Sequence, residues 1–271
     1  MSYLCDWLAI SRSGYYDWRK RSESDHRKND RALTQKIIAI HQSSRGVYGS
    51  PRIHRVLQNE GIRVGKKRVA RLMQAQGLRG RVVRVTCRKP GLKQFKAQGD
   101  NLRLKLAPAS GIDQVWAADI TYLRVKGQWR YLATVMDVYS RRILGWSLAK
   151  QRTTGLTLSA LCYALRQRRP PPGLIFHTDR GIEYMSHRFQ SELKRHRIRS
   201  SVNRPGYCTD NAHMESFFHT LKAELIRGRI FHTEPELRYA LNSYINGFYN
   251  HVRLHSGVGY HPPAQYERMA A

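Results

Sequence analysis

The sequence predicts an α/β domain preceded by an all-α region, and three observations predict it. Apolar residues recur at helical spacing up to about residue 78. From Val115 they switch to runs rich in β-branched and aromatic residues, the habit of strands. Between the two lies a basic stretch without a clean period, punctuated by Pro90-Gly91 and Pro108. The chain has 271 residues, of which 41% are hydrophobic. That is room for about two domains, and too apolar a composition for a disordered chain.

Residues 1–30 read as a short helix-turn-helix fragment and a connector. A short helix, a turn at Ile10-Ser11 and a second helix from near Arg12 precede R-S-E-S-D-H-R-K-N-D. That stretch holds almost nothing apolar and reads as a connector or an exposed helical turn. Residues 31–80 read as a helix-turn-helix DNA-binding domain. Leu33, Ile37 and Ile40 mark its first helix. Ser50 as N-cap, with Pro51 at the first helical position, opens the second, which has Ile53, Val56 and Leu57 on one face and ends at Gly61. A third helix from about Gly65 to Gly77 buries Val69, Leu72 and Met73 and carries Lys66, Lys67, Arg68 and Arg71 on its other face. Those four and Arg52 are the candidate DNA contacts of this domain. The bland alternative is a helical bundle with a solvated basic face. Residues 81–112, with Arg81, Arg84, Arg88, Lys89, Lys93 and Lys96, read as a basic linker that lies along DNA.

Residues 113–271 carry the α/β pattern. V-W-A-A-D-I-T-Y-L-R-V is a strand, Gly127 marks a hairpin turn, and W-R-Y-L-A-T-V-M-D-V-Y and R-I-L-G-W-S-L follow as strands. A helix over 154–168 leads to the strand Leu174–His177. A helix near 187–196, a short strand near 198–202 and a long helix from Asp210 complete the order, followed by a C-terminal extension. Three antiparallel strands, then helix, strand, helix, strand, helix is the order of a ribonuclease H-like domain, a mixed five-stranded sheet flanked by helices.

Charge narrows the partner. There are 48 Lys+Arg against 19 Asp+Glu, a net of +29, and 25 against 7 within residues 1–110. Double-stranded DNA is the expected partner, because Lys and Arg that neutralise phosphates release counterions. No stretch approaches the length and apolarity of a membrane span, so no membrane partner is expected. Cys5, Cys87, Cys162 and Cys208 are far apart and form no C-x-x-C, which argues against a cysteine zinc site and for a reduced compartment. The N-terminus lacks the features of a signal peptide. A cytoplasmic location follows. Neither a phosphate-binding glycine loop nor Ser/His/Asp hydrolase spacing is present.

Acids are scarce, so their positions matter. Asp119 interrupts the middle of an apolar strand, where a lone carboxylate needs a metal, a cation or strong hydrogen bonds. Asp179 directly follows a strand, where α/β sheets present their sites. Glu215 lies on the last helix, whose Met214, Phe217, Phe218, Leu221 and Leu225 form an apolar stripe. Asn211, Glu215, His219 and Lys222 share the opposite side. Three converging carboxylates make a hard-oxygen site for Mg²⁺ or Mn²⁺, and two such ions activate the attacking oxygen and stabilise the leaving one in phosphodiester chemistry. Lys222 is placed to grip phosphate nearby, and His219 to contact DNA. Asp137 is a candidate to support the metal ligands from behind, Asp210 a candidate helix N-cap, and His177 and His213 flank the site.

The segments W-A-A-D-I-T-Y, D-V-Y-S-R-R-I-L-G-W, H-T-D-R-G-I-E-Y, D-N-A-H-M-E-S-F-F and Y-N-H-V-R-L-H-S-G-V-G-Y-H-P-P resemble the integrase-type catalytic core of IS-three-family insertion-sequence transposases. S-R-S-G-Y-Y-D-W and Y-G-S-P-R-I resemble the N-terminal region of the same second-frame protein, OrfB. The 35 residues between Asp179 and Glu215 match the spacing of its DDE class. The resemblance implies that Asp119, Asp179 and Glu215 are the catalytic, metal-binding triad and that Lys222 is the family's basic residue seven positions on. It implies cleavage at element ends and strand transfer, in which water or a DNA 3′-hydroxyl attacks a phosphodiester. It also implies a homo-oligomer on DNA, an OrfA-type partner or fusion, and a bacterial, nucleoid-associated setting. Glu183 departs from the family, which usually has an amide there. Two other readings stay open at this point: a metal-dependent nuclease without strand transfer, and a DNA-binding regulator with an inactive core.

Overall fold

The computed structural model describes residues 2–81, 99–205 and 207–270. The chain forms two compact units, Met1–Gly80 and Arg81–Ala271. Of the basic residues read as a linker, Arg84, Arg88, Lys89, Lys93 and Lys96 lie outside the described residues.

The first unit is all helical. Helices α1 (Ser2–Trp7) and α2 (Arg12–Lys20) meet at a turn, and the Ser11 side chain caps α2 by accepting the Gly14 N–H. Helix α3 (Asp25–Ser43) starts earlier than its apolar pattern, so residues 25–30 are its exposed first turns. It buries Leu33, Ile37 and Ile40 against α4 (Ser50–Asn59) and α5 (Lys66–Ala75). The cap of α4 is Gly49 rather than Ser50, and it makes no side-chain bond. Ile53, Leu57, Val69, Leu72 and Met73 are buried. Asp30 ties α5 to α3: one oxygen accepts from Arg68 and the other from Arg71, both at 2.7 Å. The hydrogen bond from Arg71 first, then Arg68, holds its carboxyl below the usual range.

The second unit is a five-stranded sheet in the order β3-β2-β1-β4-β5. Strands β1 (Val115–Val125), β2 (Gln128–Asp137) and β3 (Ile143–Ala149) are antiparallel. The β1–β2 hairpin turns at Lys126 and Gly127, both with positive φ (46° and 79°), the geometry that matches strand twist. Strands β4 (Ile175–Thr178) and β5 (Arg199–Val202) are parallel to β1. The predicted mixed ribonuclease H-like sheet is therefore present. One face packs Trp116, Ala118, Ala133, Val135 and Leu144 against α6 (Thr154–Gln167) and α8 (His187–Arg195). The contact with α6 is intimate at Gly145, where a methyl would come within 2.7 Å of the Ala164 nitrogen. Helix α9 (Ala212–Leu221) packs on β1 and buries Met214, Phe217, Phe218 and Leu221. It continues as a π-helical turn, Lys222–Ile226.

Both sheet edges are covered, as exposed edges invite aggregation. Along β5, the Val202 N–H donates to the Asp100 carbonyl and the Leu102 N–H to Ser201 Oγ. Along β3, Asn250 bonds both the N–H and the carbonyl of Ile143. Asn250 closes a segment formed by α10 (Glu234–Asn242) and a π-helical stretch, Ser243–Tyr249. Helix α11 (Pro263–Ala270) follows.

The C-terminal extension is held by a buried ion pair. Glu224 accepts from Arg253 Nε and Nη2 at 2.8 and 2.7 Å, and from Tyr244 Oη at 2.7 Å. Arg253→Leu leaves Glu224 buried and unpaired, so urea unfolding should show a loss of about 3–5 kcal/mol. The Arg253→Leu, Glu224→Leu double variant should recover most of it; a double variant no more stable than the single one contradicts the pairing.

Candidate active site

The register of the parallel strands builds the site. Ala117 opposite His177 is the last paired rung between β1 and β4. Two residues further along each strand stand Asp119 and Asp179. Period-two alternation puts them on the same side of neighbouring strands, at the end where the ladder has opened. Asp119 accepts the Ile120 N–H at 2.7 Å and Asp179 the Gly181 N–H at 3.0 Å.

Helix α9 delivers the third acid. Asn211, at its start, donates to the Ala118 carbonyl at 3.1 Å and so ties the helix to β1 beside Asp119. One turn on is Glu215, half-buried and within electrostatic reach of Asp119. Lys222 is partly buried, and burial pulls its ammonium down against the attraction of Asp119. The three predicted acids and Lys222 thus share one electrostatic neighbourhood. Among the described residues no three His, Cys, Asp or Glu side chains stand close enough to hold a metal ion as they are.

Burial, and then Asp179, push the Asp119 carboxyl up to about 8; Glu215 adds to the rise, while the Ile120 N–H and Arg152 oppose it. Burial raises Asp179 too, with Glu183 adding and the Gly181 N–H and Arg152 opposing. Buried carboxylates this close repel each other and hold protons for want of a countercharge.

Arg152, just ahead of α6, was missed by sequence reasoning. It is a basic residue among many, and only its place after β3 hinted at the sheet end. It donates to Glu183 from Nε at 2.7 Å and from Nη2 at 3.0 Å. Glu183, on the short helix α7 (Ile182–Met185), is therefore an ion-paired acid and leaves no free negative charge at the mouth of the site. The turn is tight. A methyl on Gly181 would come within 2.9 Å of Asp179 Oδ1 and 3.0 Å of both Arg152 Nη2 and Glu183 Oε2. Beneath it the buried Tyr184 hydroxyl has no hydrogen-bond partner and lies in the field of Asp119, Asp179 and Glu183.

Other candidates resolve differently. Asp137 lies away from the rung, fully buried, and accepts the N–H groups of Asp113 and Ser140, so it is a turn anchor. Asp210 is not the N-cap of α9. Arg204 and Asn101 bind its carboxylate, and Arg204 holds it down at about 2. His177 bonds Ser201 at 2.9 Å, and burial takes both His177 and His213 down to about 4, so both are neutral at neutral pH. His219 is half-buried on α9, four residues past Glu215. In the first unit Lys66 and Lys67 are exposed, whereas Arg68 and Arg71 are engaged by Asp30 and Arg52 lies 5.7 Å from the Tyr48 ring. In the second, Arg81 donates to the carbonyls of Ala223 and Arg227.

Comparison with known proteins follows the same division. An HTH-like domain model matches residues 28–85, and integrase core domain models match residues 109–208 and 196–263. Transposase InsF for insertion sequence IS3A of Escherichia coli strain K12 is 39% identical over 270 residues, 97% of this chain and 92% of that one. This chain belongs to the IS-three family of insertion-sequence transposases. An insertion element IS600 31 kDa protein of Shigella sonnei is 36% identical over 281 residues, 99% of this chain and all of that one. The fold is shared with a chain of a simian T-cell lymphotropic virus intasome structure, at a TM-score of 0.51 and 18% identity, covering 85% of this chain and 74% of that one. The transposase is thus a polynucleotidyl transferase of the integrase-core type. No helix among its described residues is long and apolar enough to cross a membrane.

The raised Asp119 makes a stability prediction for the transposase freed of divalent ions by a chelator. An unfolded Asp ionises near pH 4, the folded one only near 8. The fold therefore loses stability as pH rises across that window. Asp119→Asn removes the loss. Its melting temperature should exceed that of the parent by several degrees or more at pH 8 and match it near pH 4. A variant that melts lower at pH 8 contradicts the assignment.

Proposed function

We propose that this transposase cuts phosphodiesters at the ends of its element and joins them to target DNA, with Asp119, Asp179 and Glu215 as ligands to divalent metal, Mg²⁺ or Mn²⁺. One observation carries the reading: Asp119 and Asp179 lie just beyond the last rung of two parallel strands, where burial, and then the nearby Asp179, hold Asp119 protonated. Such a pair of hard-oxygen donors, with Glu215, would hold a divalent cation, whose charge would offset theirs. The orphaned Tyr184 hydroxyl agrees with a site that wants a further polar occupant. When bound, a pair of ions supplies charge neutralisation at the phosphate and acidifies the attacking hydroxyl.

The chain's own groups do the rest. Asp119 comes from β1, Asp179 from the turn after β4 and Glu215 from α9, so a rigid frame presents them. Lys222 binds a DNA phosphate beside them. Water attacks phosphorus in line, a P–O bond forms, and the 3′-oxygen leaves as a hydroxyl. In strand transfer that 3′-hydroxyl attacks a target phosphodiester and displaces its 3′-oxygen in turn. No bond to the protein forms in either step. Lys66, Lys67 and Arg52 of the first unit, with Arg68, Arg71 and His219, are the further DNA contacts of this reading. An oligomer on DNA and an OrfA-type partner belong to it as well.

Asp119→Ala, Asp179→Ala and Glu215→Ala should each lower cleavage of element-end DNA by at least about 10³-fold, while DNA affinity in a gel shift stays within about 3-fold. In parallel, Mn²⁺ should raise the melting temperature of the parent and not of Asp179→Ala. Cleavage that survives these substitutions sinks the assignment of the triad. Cut but unjoined product under all conditions favours a nuclease without strand transfer.

A further inference from the structure

The β1–β2 hairpin carries an aromatic and cationic ladder that leads away from the catalytic acids. Lys222 Nζ sits 4.6 Å from the centre of the Tyr122 ring. Tyr122 meets Trp129 edge to face at 5.0 Å. Arg124 lies 4.4 Å over Trp129, its partner in the strand register. Lys222 is also a cation that Asp119 attracts, so the ladder begins at a residue in the field of the acids and ends near the hairpin tip. Both rings are on the sheet face that α6 covers further along, yet Tyr122 is 48% and Trp129 43% exposed.

We propose that Tyr122 and Trp129 form a stacking platform for unpaired DNA bases next to the phosphodiester being cut, with Lys222 and Arg124 holding the flanking phosphates. Exposed rings stack any base, because every base has a π-face, and cations at both ends suit a backbone that runs past them. The two rings stand half in water between two cations. The charge of the partner follows from the chain's own, +29. The platform explains how a strand end is kept apart from its complement once it reaches the acids. It rests on the reading that DNA enters the Asp119–Asp179–Glu215 site.

The full-length transposase is titrated with three labelled DNAs of one duplex sequence: blunt, with a short single-stranded tail, and with a tail of the same length made of abasic residues. A 2-aminopurine in the base-bearing tail reports stacking by quenching. The parent should prefer the base-bearing tail to the abasic one by roughly tenfold, with quenching. Trp129→Ala and Tyr122→Ala should erase both the preference and the quenching, and Trp129→Phe should restore most of each, which also excludes misfolding as the cause. Equal affinity for the base-bearing and abasic tails overturns the platform while leaving the DNA reading intact. Failure to bind any of the three overturns both. A preference that persists in Trp129→Ala and Tyr122→Ala places the base elsewhere and overturns the platform.

Discussion

Two buried carboxylates at the open end of adjacent parallel strands, two residues past the last paired rung, set the terms for the second unit. Their burial, and then their repulsion, is what the surrounding structure answers. Burial alone makes each ionised form expensive, and nearness makes the second ionisation harder than the first. Neighbouring elements then bring compensation to the same point. The open ladder gives Asp119 and Asp179 an N–H each. The close packing of β3 on α6 at Gly145 fixes the segment that presents Arg152. Asn211 pins α9 to Ala118, which brings Glu215 and Lys222 within range. None of these contacts is strong by itself. Together they leave a site short of positive charge, the condition under which a cation binds.

A site held short of countercharge stores destabilising free energy, so the frame around it has to be stiff. Polar networks elsewhere in the second unit serve that end. Asp137 closes the turn after β2, and Ser140 hands it on to Glu267 of α11 at 2.8 Å. Glu267 also receives Arg142 at 2.6 Å and Arg168, which joins the end of α6 to the C-terminal helix. Glu224 and Arg253 do the same for the segment after α9. Buried ion pairs of this kind add little net stability over apolar packing, yet breaking one is costly, and so they resist alternative arrangements. The two π-helical turns, Lys222–Ile226 and Ser243–Tyr249, lie in this region, where Phe217 meets Tyr249 at 4.9 Å.

What could be read from the sequence was whatever period and composition encode. The strands of the sheet, the apolar stripe of α9 and the three helices of the first unit all carry a clean pattern. Asp119 was conspicuous because it breaks such a pattern, and Asp179 because it follows an apolar run. Features made by pairing across the sheet were out of reach. Arg152 has no local signature, and its meaning depends on Glu183, 31 positions later. Asp210 looked like a cap because a helix was expected to start there, but the N-terminal turn is a short 3₁₀ segment and Arg204 claims the carboxylate. Arg68 and Arg71 looked free on a basic helix face. Asp30 lies 38 positions ahead of Arg68, in a stretch read as connector or exposed turn, so their shared partner was invisible.

The acid at 183 shows why pairing matters more than residue type. An unpaired carboxylate at the mouth of the site would repel each incoming phosphate and raise the pKa of Asp179 further. The bidentate bond to Arg152 removes the first effect, since the pair carries no net charge. It does not remove the second, because Arg152 also acts on Asp119 and Asp179, and a guanidinium held by Glu183 offers them less. The pair therefore adds no net charge beside Asp119 and Asp179 while leaving both short of positive charge. An amide at the same place would leave Arg152 wholly to the two aspartates, and a better-compensated pair of acids has less to gain from a metal ion. By this reasoning the acid at 183 works through electrostatics on the site and needs no chemical role of its own.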